Sequence, residues 1–321
     1  MSKTGKVMAG THFLMGNIAC AEGAIAAGCN FAAGYPITPA TEIINHLAAK
    51  LPRHGGIFLQ TEDEISAISA IVGAAWSGCK VLTATSGPGI SLMQENIGFA
   101  VSTETPIVIV DVQRLGPSTG VPSIGLAGDI VQVAKGSHGD YQIIALCPDG
   151  PQEMFDLTVR AFNLAEKYRV PVFLMAEGFI GHMRERVLIP EEAELPIVNR
   201  RIQSGSGGPM ERQDFLDLEV APMPVFGNGL KTHVTSSCHD GHGMRNLSDP
   251  EVMHKFITNP IQKILNHRDD IVDVEKDYSG RDIVLVAYGS VSRSARAAAE
   301  LARAEGLNVG TFRLITCWPF P

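Results

Sequence analysis

Apolar and polar positions follow two alternating rhythms between residues 12 and 190. Short apolar runs, mostly rich in β-branched residues, occur at Phe31–Tyr35, Ile57–Gln60, Val81–Thr85, Pro106–Val112, Gln142–Cys147 and Pro171–Met175. Between them lie segments of helical period, at Gly16–Ala27, Thr41–Lys50, Glu64–Ser77, Ile90–Ser102 and Gln152–Lys167. In the last of these Met154, Leu157, Val159, Phe162 and Leu164 keep a largely helical spacing. Apolar strands that alternate with helices predict a doubly wound α/β domain, its parallel sheet covered on both faces.

The rhythm fades between 190 and 280, where Ser204–Pro209 and Ala221–Pro224 are runs of chain breakers. An irregular connector with one short helix near Glu251–Leu265 is expected there, and its length predicts that it packs on something. From Asp282 a clean unit returns: strand Ile283–Ala287, helix Val291–Glu305, Gly306 as its cap, strand Asn308–Arg313. Such a unit is too small to bury both faces of its strands. It must dock on another chain or be a shortened second domain. The expected division is residues 1–190, 191–279 and 280–321.

Composition narrows the class. With 45% hydrophobic and 19% charged residues the chain can bury a real core, and a net charge of −8 without a basic run argues against a nucleic-acid surface. The six cysteines are scattered, with no Cys-x-x-Cys pair and no leading apolar segment, which predicts reduced thiols in a cytoplasm and no iron–sulfur cluster on this chain. Apolar stretches fall short of a membrane span.

Candidate chemistry gathers at the ends of the predicted strands. In Gly34–Glu42, Thr38 is a candidate N-cap and Pro39 a candidate first helical residue, leaving backbone donors for a carboxylate or phosphate. In Gln60-Thr61-Glu62-Asp63-Glu64, Thr61-x-x-Glu64 matches a capping box, and capping alone accounts for the segment. Glu62, however, falls just past a strand, where open α/β sheets bind ligands; buried beside a heterocycle it would hold a raised pKa and exchange a proton with a ring nitrogen. Thr85-Ser86-Gly87-Pro88-Gly89 forms a tight turn whose amides can approach a ligand, without the spacing or lysine of a P-loop. Arg114 offers a planar fork for a carboxylate, although a lone loop arginine is ordinarily a solvated charge. His138 reads as a loop hydrogen bonder. Cys238, His239, Asp240 and His242 fit no zinc template.

Taken together, Gly34-Tyr-Pro-Ile-Thr-Pro, Gln60-Thr-Glu-Asp-Glu, Thr83-Ala-Thr-Ser-Gly-Pro-Gly, Gly116-Pro-Ser-Thr-Gly and Trp318-Pro-Phe-Pro resemble the alpha subunit of the 2-oxoacid:ferredoxin oxidoreductases, most of all the 2-oxoglutarate type, over nearly the whole chain. The resemblance implies a pyrimidine-binding domain for thiamine diphosphate, followed by part of a transketolase C-terminal-like domain. It implies a beta subunit that holds the diphosphate, Mg²⁺ and a 4Fe-4S cluster, with small gamma and ferredoxin-like delta subunits as further partners and ferredoxin as acceptor. By similarity, Glu62 pairs with the pyrimidine nitrogen and promotes the imino form that deprotonates the thiazolium carbon. Ser86 and Gly87 line the cofactor, and Thr38 and Arg114 take the substrate carboxylate. No metal ligand falls on this chain. The implied reaction is oxidative decarboxylation of a 2-oxoacid with coenzyme A to acyl-CoA, CO₂ and reduced ferredoxin.

Two departures from the family pattern stand out. Where the family commonly continues Pro-Thr, with Gln ahead of Gly-Asp, this chain reads Val121-Pro-Ser-Ile-Gly-Leu-Ala-Gly-Asp129. An apolar loop there favours a branched or aromatic 2-oxoacid as the alternative substrate. Trp318–Pro321 normally leads into further helix and strand, so the second domain reads as cut short. A non-catalytic scaffold with this fold is the alternative of another class. A self-contained transketolase-like enzyme fails for want of the diphosphate and Mg²⁺ half.

Overall fold

The computed structural model describes residues 7–203, 219–279 and 282–321. The breaker run Ser204–Pro209 and the expected boundary at residue 280 lie outside the described residues. In chain order the regular elements are β1 (Gly10–Met15), α1 (Gly16–Ala26), β2 (Phe31–Gly34), α2 (Thr41–Lys50), β3 (Ile57–Gln60), α3 (Glu64–Trp76), β4 (Val81–Thr85), α4 (Gly87–Ser102), β5 (Ile107–Leu115), β6 (Val121–Gly125), α5 (Ile130–Lys135), β7 (Ile144–Leu146), α6 (Pro151–Tyr168), β8 (Pro171–Glu177), α7 (Gly178–His182) and β9 (Arg184–Ile189). The chain continues through α8 (Pro250–Asn266), α9 (Arg268–Ile271), β10 (Val274–Asp277), β11 (Ile283–Tyr288), α10 (Val291–Ala304), β12 (Val309–Leu314) and β13 (Thr316–Trp318).

The main sheet runs β13-β7-β8-β5-β4-β2-β3, and β6 pairs with β5 beside that path. From β7 to β3 every pairing is parallel, so the carboxyl ends of six strands share one edge. Side chains of β5 alternate between two cores. Val108, Val110 and Val112 pack with α1, α2 and α6, while Ile107 and Ile109 pack with α3 and α4. That two-sided burial is why the strand shows no polar alternation in sequence. The chain passes from β2 to β3 on one side and then to β4 on the other, which puts a topological switch point between β2 and β4.

Several short elements carry no clear signal of their own. β1 and β9 pair only with each other, antiparallel, from Gly10 opposite Ile189 to Met15 opposite Arg184. Of the expected strand Gln142–Cys147 only Ile144–Leu146 is regular, because the amide of Cys147 turns to the carbonyl of Ile315. β10, inside the stretch expected to be irregular, pairs antiparallel with β12. β11 and β12 are parallel, and α10 lies against both.

The C-terminal unit docks on its own chain. β13 joins the main sheet antiparallel to β7, and Arg313 is salt-bridged to both Glu153 on α6 and Glu275 on β10. The connector is pinned as well. Arg200 binds Glu166 and the carbonyls of Ala75 and Cys79, and Lys263 on α8 binds Glu104 and the carbonyl of Arg169. Among the described residues no helix is long and apolar enough to cross a membrane.

Candidate functional site

Four of the strand ends at the shared edge belong to neighbouring strands, β3, β2, β4 and β5, and each presents an expected site residue. Thr38 follows β2 but does not cap α2. Residues 37 to 40 close a turn of their own, the amide of Ala40 donating to the carbonyl of Ile37 at 2.8 Å, and the helix starts only at Thr41. Asn17 ties this turn down from α1, donating to the carbonyl of Pro39 at 2.7 Å and to Glu42 at 2.8 Å. Thr38 is therefore exposed at the mouth of the sheet, its hydroxyl not spent on capping α2.

Arg114 is no loop charge. β5 runs past the expected end to Leu115, so Arg114 sits in the strand with 8% exposure. Its Nη1 donates to the carbonyl of Thr38 at 2.7 Å, while its buried Nε has no hydrogen-bond partner. A guanidinium with unused donors beside an exposed threonine is a chemical match for a carboxylate.

At the end of β4 the turn behaves as the glycines suggest. Ser86 is the N-cap of the 16-residue helix α4, fully buried, and its hydroxyl lacks a partner. A Cβ on Gly87 would stand 2.8 Å from Asp129 Oδ2, and one on Gly89 would overlap Thr85 Oγ1 and stand 2.6 Å from Glu64 Oε1. Both positions need glycine because acidic side chains close over the helix start, where the macrodipole favours negative charge.

The Thr61-x-x-Glu64 capping box does not form. Asp63 is the N-cap of α3, accepting from the amide of Ser66 at 2.7 Å, while Thr61 Oγ1 donates to the carbonyl of Asp63 at 2.9 Å. Asp63 has the shorter side chain and reaches that amide directly. Glu64 turns inward instead and accepts from Thr85 Oγ1 at 3.3 Å. Glu62 lies before the helix, not on it, and its side chain faces out of this chain. The burial expected for Glu62 is thus not supplied by the chain's own residues.

A pair of acids that sequence reasoning passed over completes the site. Asp111 on β5 has no exposure, and neither of its carboxyl oxygens meets a donor from elsewhere in the chain. Burial first, and then the adjacent Asp129, push its carboxyl well above the ordinary carboxylate range. Burial also raises Asp129, against the pull of its bond to Asp111 and of the Arg114 charge. Fully buried Asp111 beside half-buried Asp129 therefore disfavours a second negative charge at this point. Gln113 fixes the partner loop by accepting from the amide of Asp129 at 3.0 Å. The available signal was Asp111 itself, one acid inside an otherwise apolar strand.

The structure thus brings Thr38 and Arg114 into direct contact, sets Gly87 against Asp129 just beyond the neighbouring strand β4, with Ser86 beside it, and leaves Glu62 at the open rim. His138 is exposed, and buried His239 packs edge-on against Phe256, its Nδ1 2.9 Å from the carbonyl of Ser237. Among the described residues no group of acids, histidines and cysteines is arranged to hold a metal ion.

Comparison with known proteins adds an independent line. Residues 22–258 match the family "Pyruvate flavodoxin/ferredoxin oxidoreductase, thiamine diP-bdg", and residues 281–321 match "Pyruvate:ferredoxin oxidoreductase core domain II". The chain is 51% identical over 313 residues to the 2-oxoglutarate synthase subunit KorA of Methanothermobacter marburgensis, covering 97% of this chain and 82% of that one. It is 41% identical over 315 residues to the ketoisovalerate oxidoreductase subunit VorB of Methanothermobacter thermautotrophicus, covering 97% and 81%. Among solved structures it is similar to the 2-oxoglutarate:ferredoxin oxidoreductase of Magnetococcus marinus with 2-oxoglutarate, coenzyme A and succinyl-CoA bound, with a TM-score of 0.87 and 34% identity. That match covers 98% of this chain but spans only 55% of the other.

Proposed function

The chain belongs to the pyruvate flavodoxin/ferredoxin oxidoreductase family of thiamine-diphosphate-binding proteins, and from that premise we propose that it is the alpha subunit of a 2-oxoglutarate:ferredoxin oxidoreductase. The reaction is oxidative decarboxylation: 2-oxoglutarate and coenzyme A yield succinyl-CoA and CO₂, and two electrons pass to ferredoxin. The observation that carries this reading is the contact between Arg114 and the Thr38 turn at the edge of a wound sheet, next to the switch point between β2 and β4. It supports capture of a substrate carboxylate there by a charged fork and a hydroxyl.

The residues also fit thiamine diphosphate. The partnerless buried hydroxyl of Ser86, at the start of a long helix stripped of side chains at Gly87 and Gly89, is a polar cradle where a heterocycle can approach the backbone. When bound, the cofactor supplies an electron sink for decarboxylation. With the cofactor bound, Glu62 would hold a proton at the pyrimidine nitrogen, Ser86 and Gly87 would line the ring, and Asp129, packed against Gly87, would keep the helix start in place.

Glu62 facing outward supports a pocket whose far wall comes from another chain. In this reading that chain is a beta subunit bearing the diphosphate site, Mg²⁺ and a 4Fe-4S cluster, within a cytoplasmic complex that uses coenzyme A as cosubstrate. Small gamma and ferredoxin-like delta subunits complete the partner set. The division into a pyrimidine-binding domain at 1–190, a connector at 191–279 and part of a transketolase C-terminal-like domain at 280–321 belongs to this reading; the second family match begins at 281, beside the last boundary, whereas the first runs on to 258.

The test is co-expression with the beta subunit and an assay of coenzyme A-dependent dye reduction with 2-oxoglutarate, pyruvate and 2-oxoisovalerate. Highest kcat/KM on 2-oxoglutarate is expected. Preference for 2-oxoisovalerate is the second outcome to watch for, because Val121, Ile124 and Leu126 are exposed apolar residues on the loop beside the site. No turnover of any 2-oxoacid by an assembled complex would leave a scaffold role.

A further inference from the structure

We propose that the substrate tail lies against the loop over 121–129, whose strand β6 pairs with β5 at Arg114, and that Tyr288, contributed by the C-terminal unit, is a positioning residue for that loop. This inference rests on the function proposed above and adds to it a residue from outside the sheet edge.

Beyond the pairing of β6 with β5, the loop is held at two further points on the main domain. At one end Gly125 is pressed against backbone, for a Cβ there would stand 2.9 Å from the amide of Phe179 and 3.0 Å from that of Gly178. At the other end the amide of Asp129 donates to Gln113. Between them lie Leu126, Ala127 and Gly128, of which Leu126 and Gly128 are exposed. Tyr288 takes the middle of that span, its phenolic hydroxyl donating to the carbonyl of Ala127 at 2.9 Å across 161 positions of sequence.

Tyr288 is itself held in place. It ends β11, and the next residue, Gly289, has φ +59, where a Cβ would overlap Glu177 Oε1. Ser290 then donates its amide to Glu177 Oε1 at 2.9 Å and its hydroxyl to the other carboxylate oxygen. Glu177 is the last residue of β8, directly before the Gly178–Phe179 backbone that bears on Gly125. The end of β8 therefore grips the loop on one side and the Tyr288 turn on the other, and the Tyr288–Ala127 bond closes the circuit. Arg293, one turn into α10, adds an ion pair to Glu185 at 2.6 Å. Burial pushes the phenol up to about 12, so it remains a donor at any working pH.

The consequence is local. Ala127 lies two residues before Asp129, which overlies the start of α4, and next to Leu126, whose side chain is exposed. Loss of the bond frees the loop at Leu126 to Gly128 while Arg114 and Asp111, both on β5, stay where they are. Substrate binding is then weakened and the chemical step is not.

The test is Tyr288→Phe, which keeps the ring and deletes one hydrogen bond. In the assembled complex the KM for the 2-oxoacid is expected to rise roughly five- to tenfold, the worth of about one hydrogen bond, with kcat and the KM for coenzyme A unchanged within about twofold. In the free chain, hydrogen exchange is expected to quicken at the amides of 125–129 and to stay the same in α4 and β5. Unchanged exchange in that loop, or a fall in kcat with KM intact, overturns the proposal. The exchange readout needs no turnover. A complex inactive on every 2-oxoacid would therefore sink the functional reading while the loop measurement still decides the role of Tyr288.

Discussion

Arg114 Nη1 and the carbonyl of Thr38 lie 2.7 Å apart although 76 positions separate the two residues in the chain. The bond spends one donor of the guanidinium, and the buried Nε is left without a partner. Arg114→Ala is expected to raise the KM for the 2-oxoacid by roughly 10- to 100-fold, because a substrate carboxylate loses a charged partner worth about 1.5–3 kcal/mol. Arg114→Lys keeps the charge and loses the fork, so its KM should fall between the two. Steady-state kinetics that gave either variant a wild-type KM would remove Arg114 from substrate binding.

Glu62 stands at the rim with its side chain directed away from the chain's own core. Glu62→Gln preserves size and polarity and cannot hand over a proton. In the assembled complex a loss of roughly 10²- to 10⁴-fold in kcat is expected, with the complex eluting at the same size in gel filtration. Full turnover by this variant would exclude proton transfer by Glu62.

The Asp111–Asp129 pair carries a pH dependence of known sign. Because the native pKa of Asp111 lies above its unfolded value of about 3.9, its contribution to stability is whole below that pH. It is lost progressively as pH climbs toward the native pKa. Asp111→Asn stays neutral and still offers Asp129 a donor. Urea unfolding of the free chain should therefore show Asp111→Asn gaining on the wild type as pH rises above about 4, whereas Asp111→Ala starts about 1–3 kcal/mol below the wild type near that pH and closes the gap as pH rises. A parallel pH dependence in Asp111→Asn and wild type would contradict a carboxyl at Asp111 held above its ordinary range.

Lys263 and Glu104 form an ion pair that is buried on both sides, 2% and 8% exposed, and joins α8 to the turn before β5. Burial lowers the pKa of Lys263 and the Glu104 charge opposes the change. Lys263→Met takes the ammonium away from the buried Glu104 carboxylate, for a cost of about 3–5 kcal/mol. Pairing it with Glu104→Gln should recover part of that loss. Thermal unfolding of the two single variants and the double variant measures the coupling.

The expectation of a 2-oxoglutarate-type alpha chain is supported by the 51% identity to a 2-oxoglutarate synthase subunit, above the 41% to a ketoisovalerate one. The apolar loop that argued for another substrate turns out to hold a short strand, β6, paired to β5, with its apolar side chains exposed. Local corrections have a common origin. Thr38, Thr61 and Glu64 were read as helix caps from spacing alone, yet the turn at 37–40, the Asp63 carboxylate and the Thr85 hydroxyl compete for the same groups, and the nearer partner wins.

What the order of residues determined by itself was the alternation of strands and helices, because that depends on local periodicity and on burial of both sheet faces. Val108, Val110 and Val112 against Ile107 and Ile109 are legible as a covered strand before any fold is known. Only the tertiary structure decided which side chains meet at the sheet edge. Arg114 on Thr38, Asp129 over Gly87 and against Asp111, and Tyr288 on Ala127 are contacts between segments remote in sequence, and strand order sets them. A hydrogen bond between distant segments leaves no periodic trace in either one, and a carboxyl inside an apolar strand shows its protonation only once its surroundings are closed.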